Sequence, residues 1–204
     1  MKPYLIGIAS PSGAGKTFLA EHIVHELRDA TILPLDAYYP DLGHLSLEER
    51  GRQNYDDPNI LDFALLLAQV RTLSEGKTIL QPVYDFTHHT RTTETRRVDP
   101  HSFLILEGLF TLYWPELRDL LHSCVYVEMT DSVCFERRMA RDVAERGRSR
   151  HSVEVQFAQS VLPMAERYVR PTAQYADVRV IGNQPIGEEV AAVLVHIRCK
   201  GVLP

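Results

Sequence analysis

Apolar and polar positions follow two patterns along the chain. Short runs of β-branched and other apolar residues alternate with segments in which apolar residues recur every three or four positions. The runs predict buried strands and the recurring positions predict amphipathic helices. The predicted strands are residues 4–9, 31–35, 103–106, 124–127 and 178–181, and the predicted helices are residues 16–27, 63–74, 131–145, 153–169 and 187–198. This alternation indicates an α/β fold in which a parallel sheet is flanked by helices, within a single domain over residues 1–204.

Two segments, residues 37–60 and 78–98, do not fit this pattern. They are polar, and they contain many aromatic residues and several histidines. Ligands of open α/β sheets bind at the carboxyl ends of the strands. We therefore interpret both segments as acceptor-binding insertions above that edge of the sheet.

Composition narrows the function classes. A net charge of −5 over 204 residues disfavours nucleic acid or an anionic membrane surface as the main partner. No apolar run approaches the roughly 18 residues that span a bilayer, and the N-terminal run is too short for a signal peptide. The three cysteines form neither a CxxC pair nor a zinc-ligand pattern, which favours a reduced, cytoplasmic location.

The segment SPSGAGKT, residues 10–17, lies between the first predicted strand and the first predicted helix. It matches the P-loop pattern GxxxxGK[ST] except at its first position, where Ser10 replaces glycine. The glycines allow backbone N–H groups to surround phosphate oxygens, Lys16 can contact the β- and γ-phosphates, and the Thr17 hydroxyl can bind Mg²⁺. The predicted nucleotide-binding residues are Ser12, Gly13, Ala14, Gly15, Lys16 and Thr17. The alternative, a glycine-rich turn before an ordinary helix, does not explain the Lys-Thr pair.

Two acids follow apolar strands. Glu107 ends the run LILE and is a candidate Walker B-like acid near the metal. Asp36 follows the second strand, where a carboxylate can accept the proton of an attacking hydroxyl and can also contact Mg²⁺. The alternatives are an ordinary acidic strand end for Glu107 and a turn or N-cap role for Asp36.

The run RRMARDVAERGR, residues 137–148, is rich in arginine. Arg138 and Arg141 are about one helical turn apart, and Arg146 and Arg148 flank Gly147. Arginines accumulate where phosphoryl charge develops, so we interpret residues 138–152 as a lid-like segment; the alternative is a solvated helix face.

Nine histidines are present, but no HExxH or related spacing occurs, so we exclude a transition metal held by the protein. In the segment PVYDFTHHTR, residues 82–91, Tyr84 and Phe86 can stack on a flat ring while a histidine contacts the edge of that ring. The alternative interpretation of this segment is a surface β-hairpin.

Taken in order, these motifs resemble the uridine kinase (uridine–cytidine kinase) family, in the phosphoribulokinase-like branch of P-loop kinases. The resemblance covers residues 4–181 and is carried by GIASPSGAGKT, LDAYY, NYDDPNILD, PVYDFTHHTR, ILEGLFTLY, RRMARDVAERGR and PTAQYADV. It implies transfer of a phosphoryl group from ATP (or GTP), with Mg²⁺, to the 5′-hydroxyl of uridine and cytidine. It also implies a homotetramer.

The resemblance also assigns roles. Asp36 corresponds to the general base, and Lys16, Arg146 and Arg148 complete the catalytic group. The residues around the metal are Thr17, Asp36 and Glu107. Asp56 and Arg141 hold the ribose hydroxyls, Tyr84 and His89 read the base, and the pocket is lined by Tyr39, Tyr55 and Phe86. The arginines that face phosphate are Arg138, Arg146 and Arg148, and Gln156 lies near the nucleoside.

This chain departs from the family pattern at Ser10, at Ala37 and at Asp57, none of which has a direct chemical role. Two other functions remain open. One is a related kinase for a sugar phosphate or pantothenate, and the other is a nucleotide-binding regulator. A phosphorylated acceptor would require extra cations in the insertions, and the chain contains no NKxD motif of a guanine-nucleotide switch.

Overall fold

The computed structural model describes residues 2–203 and has a parallel sheet at its centre. Its five strands are β1 (Tyr4–Ala9), β2 (Ala30–Pro34), β5 (Phe103–Glu107), β6 (Ser123–Glu128) and β7 (Val178–Ile181), in the order β2-β5-β1-β6-β7. All neighbouring strands are parallel. The α/β fold class predicted from the sequence is therefore confirmed.

A separate antiparallel hairpin is formed by β3 (Ile79–Asp85) and β4 (Thr90–Val98). The helices are α1 (Lys16–Leu27), α2 (Leu47–Gly51), α3 (Phe63–Ser74), α4 (Pro115–Arg118), α5 (Asp131–Glu145), α6 (Arg150–Gln156), α7 (Leu162–Met164) and α8 (Ile186–Cys199). No helix within residues 2–203 has both the length and the apolar character needed to cross a bilayer.

Helices cover the central sheet on both faces, which explains why its inner strands read as continuous apolar runs. On one face, α1 and α8 pack with Ile6, Ile8 and Val193 in a core. On the other face, a second core contains Leu5, Leu66 and Phe110, together with residues of the hairpin. The hairpin is therefore part of the folded body and not an appended arm.

Most predicted elements are present, with small differences at their ends. The strand predicted at 31–35 ends at Pro34, because Leu35 starts a single 3₁₀ turn, Leu35–Tyr38. The helix predicted at 153–169 starts at Arg150 and contains two π-helical stretches, Phe157–Val161 and Ala165–Val169, on either side of α7. Pro163 lies in α7, and its missing N–H accounts for the irregular hydrogen bonding there.

Arginines tie the hairpin to the sheet. Arg96 donates to the carbonyl of Ile32 at 3.2 Å and to Gln81 at 2.7 Å, which covers the free edge of β2. Arg91 donates to the carbonyls of Tyr38 and Tyr39 and pairs with Asp62. As a result, the carboxyl ends of β1, β2 and β5 face the hairpin across a cleft.

Candidate active site

The loop between β1 and α1 is shaped to hold an anion. Gly13 and Gly15 have φ values of 88° and 104°, which favour glycine. A Cβ at Gly13 would lie 2.3 Å from the carbonyl oxygen of Cys134. Gly15 caps α1 without any side-chain hydrogen bond, so the first N–H groups of the helix are available to phosphate oxygens.

Ser10, at the first position of the P-loop, is completely buried. Its hydroxyl donates to the carbonyl of Pro11 at 3.1 Å. The departure from glycine is therefore accommodated inside the loop by a local hydrogen bond, and the serine does not project into the cleft. Ala14 is also buried beneath the loop.

Three neighbouring strands bring the predicted acids to one edge of the sheet. Glu107 ends β5, and Asp36 lies in the turn directly after β2, whose Pro34 pairs with Glu107. The Thr17 hydroxyl donates to Glu107 Oε2 at 3.2 Å. Burial raises the pKa of Glu107; nearby Lys16 opposes this effect and Asp36 adds to it. Two carboxylates, a hydroxyl and a lysine thus meet beside the phosphate loop.

A single cavity connects two of these groups, Lys16 and Asp36, with the two insertions. It is lined by Ser12, Lys16, Asp36, Tyr39, Tyr55, Asp56, Tyr84, Phe86, His89, Leu109, Arg138, Arg141, Asp142, Arg146, Arg148 and Gln156. An adjoining open cleft is lined by the remaining loop residues Gly13, Gly15 and Thr17, and by Glu107. The structure thus brings together residues that the sequence analysis selected from separate parts of the chain.

Asp56 and Arg138 are paired inside this cavity. Arg138 Nη1 lies 3.4 Å from Asp56 Oδ1 and donates to the Ser12 hydroxyl at 2.9 Å, and Arg138 Nη2 donates to Gln156 at 3.1 Å. The family resemblance grouped Asp56 with Arg141. Both residues line this cavity, where Arg138 is the ion-pair partner of Asp56 and Arg141 bonds to Asp142 at 2.8 Å. Positions 138 and 141 lie one turn apart on the same face of α5, and Arg138 is the one level with Asp56.

Aromatic rings form the far side of the cavity. Tyr39 and Tyr55 meet edge to face with centroids 5.2 Å apart, and Tyr84 and Phe86 do so at 5.1 Å. His89 stacks on Tyr55 at 5.6 Å. Burial lowers the pKa of His89, and the positive charges of Arg148 and Arg146 lower it further. The imidazole is therefore held in its neutral form, which has one donor and one acceptor nitrogen.

The segment after α5 closes over these rings. The Arg146 guanidinium lies 4.5 Å from the centroid of Phe86, which connects the lid-like segment with the hairpin. Arg148 Nη1 donates to Gln156 at 2.8 Å. Both arginines are therefore anchored by partners that also line the cavity.

Comparison with known proteins identifies the family. Residues 5–185 match the model of the phosphoribulokinase / uridine kinase family. The chain is 44% identical over 182 residues to a protein named uridine kinase from Shewanella amazonensis, covering 86% of each chain. It is 42% identical over 181 residues to a uridine kinase from Ligilactobacillus salivarius, covering 88% of this chain and 85% of that protein.

The chain belongs to the phosphoribulokinase / uridine kinase family. The structure of phosphoribulokinase from Rhodobacter spheroides has the same fold, with a TM-score of 0.64 over 91% of this chain and 74% of that chain. At 16% sequence identity, that likeness concerns the fold alone.

The structure also contains a groove that the sequence analysis did not predict. It adjoins the phosphate loop at Gly15 and is lined by Gly15, Phe18, Arg137, Gly182, Asn183, Gln184, Ile186 and Glu189. Arg137 Nη1 donates to the carbonyls of Gly182 at 3.0 Å and Ala14 at 3.4 Å, and so fastens the loop before α8 to the P-loop. The sequence signal for this groove was the pair Arg137-Arg138, of which the sequence analysis selected only Arg138.

Proposed function

We propose that this protein transfers the γ-phosphoryl group of ATP to the 5′-hydroxyl of uridine and of cytidine. The observation that carries the proposal is the single cavity in which Lys16 and Asp36 face a compartment lined by Tyr84, Phe86 and His89. A flat heterocycle can pack against such rings while its edge meets a neutral imidazole. The names of the curated relatives support the same acceptors.

Asp36 is the group that accepts the proton of the attacking hydroxyl. It lies at the junction of the two clefts, between the phosphate loop and the acceptor rings. Lys16, Arg146 and Arg148 supply positive charge toward the transferring group, and charge of this kind, fixed in advance, is the main catalytic contribution in phosphoryl transfer.

Mg²⁺ fits the residues beside the phosphate loop. Within residues 2–203 no group of three or more His, Cys, Asp or Glu residues could hold a metal unaided. Mg²⁺ bound to a nucleotide needs only one or two protein ligands besides phosphate oxygens and water. The hydrogen-bonded Thr17 and Glu107, with Asp36, supply that set. When bound, the ion would neutralise phosphate charge.

The donor base is assigned to the groove beside Arg137 and Gly182, since that groove adjoins the phosphate loop at Gly15. Asn183 and Gln184 line it with side-chain amides, which can both donate to and accept from the edge of a purine. ATP follows from the kinase family, and GTP remains an alternative donor. The cytoplasmic location and the homotetramer remain predictions from the cysteines and the family resemblance.

The acceptor compartment argues against the alternative of a phosphorylated acceptor. The insertions contribute Tyr39, Tyr55, Asp56, Tyr84, Phe86 and His89 to the cavity, and none of these is a lysine or arginine. The four arginines of the cavity, Arg138, Arg141, Arg146 and Arg148, come from α5 and the turn after it and already have partners in Asp56, Asp142, Gln156 or the Phe86 ring. A sugar phosphate would require a further cation, supplied to this cavity by the insertions.

The test is a product assay with ATP and Mg²⁺ against uridine, cytidine, ribulose 5-phosphate and pantothenate. We expect UMP and CMP from the nucleosides and no product from the other two acceptors. Lys16→Ala is the control for catalysis by this site, and it should lose roughly 10²–10³-fold in kcat, the usual cost of removing one donor to developing charge. Product from ribulose 5-phosphate or pantothenate alone would refute the proposal.

A further inference from the structure

Asp142 has no assigned role, yet it lies at the centre of the arginine cluster. Its side chain is 1% exposed. Its Oδ1 is 2.8 Å from Arg141 Nη2 and 3.4 Å from Arg146 Nη1, and its Oδ2 is 3.4 Å from Arg138 Nε. Three guanidinium groups that line the cavity therefore converge on one buried carboxylate.

The position of Asp142 in α5 explains this convergence. Arg138 and Arg146 are four residues before and after it, so all three side chains occupy one face of the helical segment. The helix ends at Glu145, and Gly147, with φ 64°, reverses the chain. The N–H of Arg148 then donates to the backbone carbonyl of Asp142 at 3.1 Å. Asp142 thus contacts both the helix and the turn that follows it.

The carboxylate of Asp142 neutralises part of the positive charge of the arginines around it. Burial opposes ionisation of Asp142, but Arg141, Arg138 and Arg146 together hold its pKa below the usual value, so it is an anion. Burial lowers the pKa of Arg146, and repulsion from Arg141 adds to this effect. Without an anion between them, Arg141 and Arg146 would repel each other and turn toward solvent.

We propose that Asp142 is a positioning residue that orients Arg141 and Arg146 into the cavity before any phosphate is bound. It acts through the arginines and does not contact substrate. Fixed orientation matters because groups that stabilise developing charge are effective only when they need not reorganise during the reaction. This inference rests on the proposed function, since the catalytic readout is nucleoside phosphorylation.

The first test is kinetic. Asp142→Asn keeps the shape of the side chain and removes its charge. We expect kcat to fall roughly 10- to 100-fold, the usual cost of losing a partner that orients a functional group. The KM for uridine should rise less, because Arg138 keeps Asp56, Ser12 and Gln156 as partners. The matched control is Asp131→Asn, because Asp131 also belongs to α5 and pairs with an arginine, Arg170, outside the cavity. Its kcat should equal that of the wild type.

A double-mutant comparison separates positioning from general damage. If Asp142 acts through Arg146, Asp142→Asn in an Arg146→Ala background should cost much less than in the wild type. If kcat of the double variant is instead lowered by the product of the two single-variant factors, the proposal is wrong. An unchanged kcat in Asp142→Asn would also overturn it. Should Asp142→Asn fail to fold, Asp142→Asn/Arg141→Gln restores the charge balance, and its kcat should lie below that of Arg141→Gln alone.

A second measurement does not depend on activity. Arg141 Nε donates to Asp142 Oδ1 at 2.8 Å, so its N–H should give a slowly exchanging NMR resonance in the wild type. We expect that resonance to be lost in Asp142→Asn and retained in Asp131→Asn; retention in both would refute the inference. A wild-type protein that makes neither UMP nor CMP would instead refute the proposed function, and the NMR result would still decide the role of Asp142.

Discussion

Arg138 and Asp56 form an ion pair inside the acceptor cavity, with Nη1 3.4 Å from Oδ1 across 82 positions of sequence. Both side chains are almost completely buried. The other carboxylate oxygen, Asp56 Oδ2, has no hydrogen-bond partner within residues 2–203. A buried carboxylate oxygen without a donor is costly, and a ligand hydroxyl can supply that donor. We therefore propose that a ribose hydroxyl bonds to Asp56 in this cavity, which Arg141 also lines.

Ribonucleosides should accordingly be strongly preferred over deoxyribonucleosides. A site built to bond a hydroxyl can reject an analogue without it by up to about 10⁴-fold, because its buried polar groups stay unpaired. Steady-state kcat/KM for uridine and 2′-deoxyuridine measures the preference. Asp56→Asn should remove most of it, mainly by weakening uridine binding. Equal kcat/KM values in the wild type would contradict the assignment.

Asp36→Asn should affect chemistry and not binding. The amide has nearly the shape of the carboxylate but cannot accept the proton of the 5′-hydroxyl. Removing a general base costs roughly 10²–10⁴-fold in rate, so kcat should fall by that order. Single-turnover kinetics beside calorimetry of uridine binding separates the two quantities. Loss of uridine binding with normal single-turnover chemistry would show that Asp36 is structural.

Thr17→Val should raise the Mg²⁺ concentration needed for half-maximal activity. The substitution preserves volume but removes the hydroxyl that donates to Glu107, and it leaves a buried carboxylate without that donor. Thr17→Ser keeps a hydroxyl and serves as the matched control, with a Mg²⁺ requirement close to that of the wild type. A Mg²⁺ titration of initial rates checks both variants, and an unchanged curve for Thr17→Val would exclude the threonine from the metal surroundings.

The sequence predicts local elements and motifs well because these depend on short-range patterns. Lys16, Asp36 and Glu107 were placed together because parallel strands end at one edge of a sheet. The partner of Asp56 could not be derived in this way. Arg138 and Arg141 are the same residue type on the same face of α5, and only the level at which the insertion meets the helix decides that Asp56 pairs with Arg138.

The role of Asp142 could not be predicted from the sequence either. In the sequence it is one acid among arginines, a pattern typical of a solvated helix face. Its role depends on burial and on the turn at Gly147, which brings the backbone of Arg148 back to Asp142. The burial of Asp142 and the contact across the turn both depend on tertiary structure, which a local sequence pattern does not reveal. The groove beside Arg137 is also tertiary, because it forms only when the loop before α8 meets the P-loop.

His89 should make the balance between uridine and cytidine depend on pH. Position 4 of the pyrimidine is an acceptor oxygen in uridine and a donor amine in cytidine. A neutral imidazole can serve either group, whereas the imidazolium form only donates. The pKa of His89 is lowered by burial and by Arg148 and Arg146, so the ring stays neutral at pH values where an exposed histidine is already protonated. Protonation occurs only as pH falls through this lowered pKa, and it then disfavours cytidine.

The kcat/KM ratio of uridine to cytidine should therefore be constant near neutral pH and should rise several-fold only at pH values below 6.5, the ordinary pKa of histidine. Taking the ratio cancels the titration of Asp36, since both substrates share the same base. His89→Gln retains a donor and an acceptor that do not titrate, so its ratio should be independent of pH. His88→Gln is the matched control, because His88 is exposed and bonds to Asp85 outside the cavity, and it should behave like the wild type. If the wild-type ratio does not change with pH, or changes equally in His89→Gln, then His89 does not read the base.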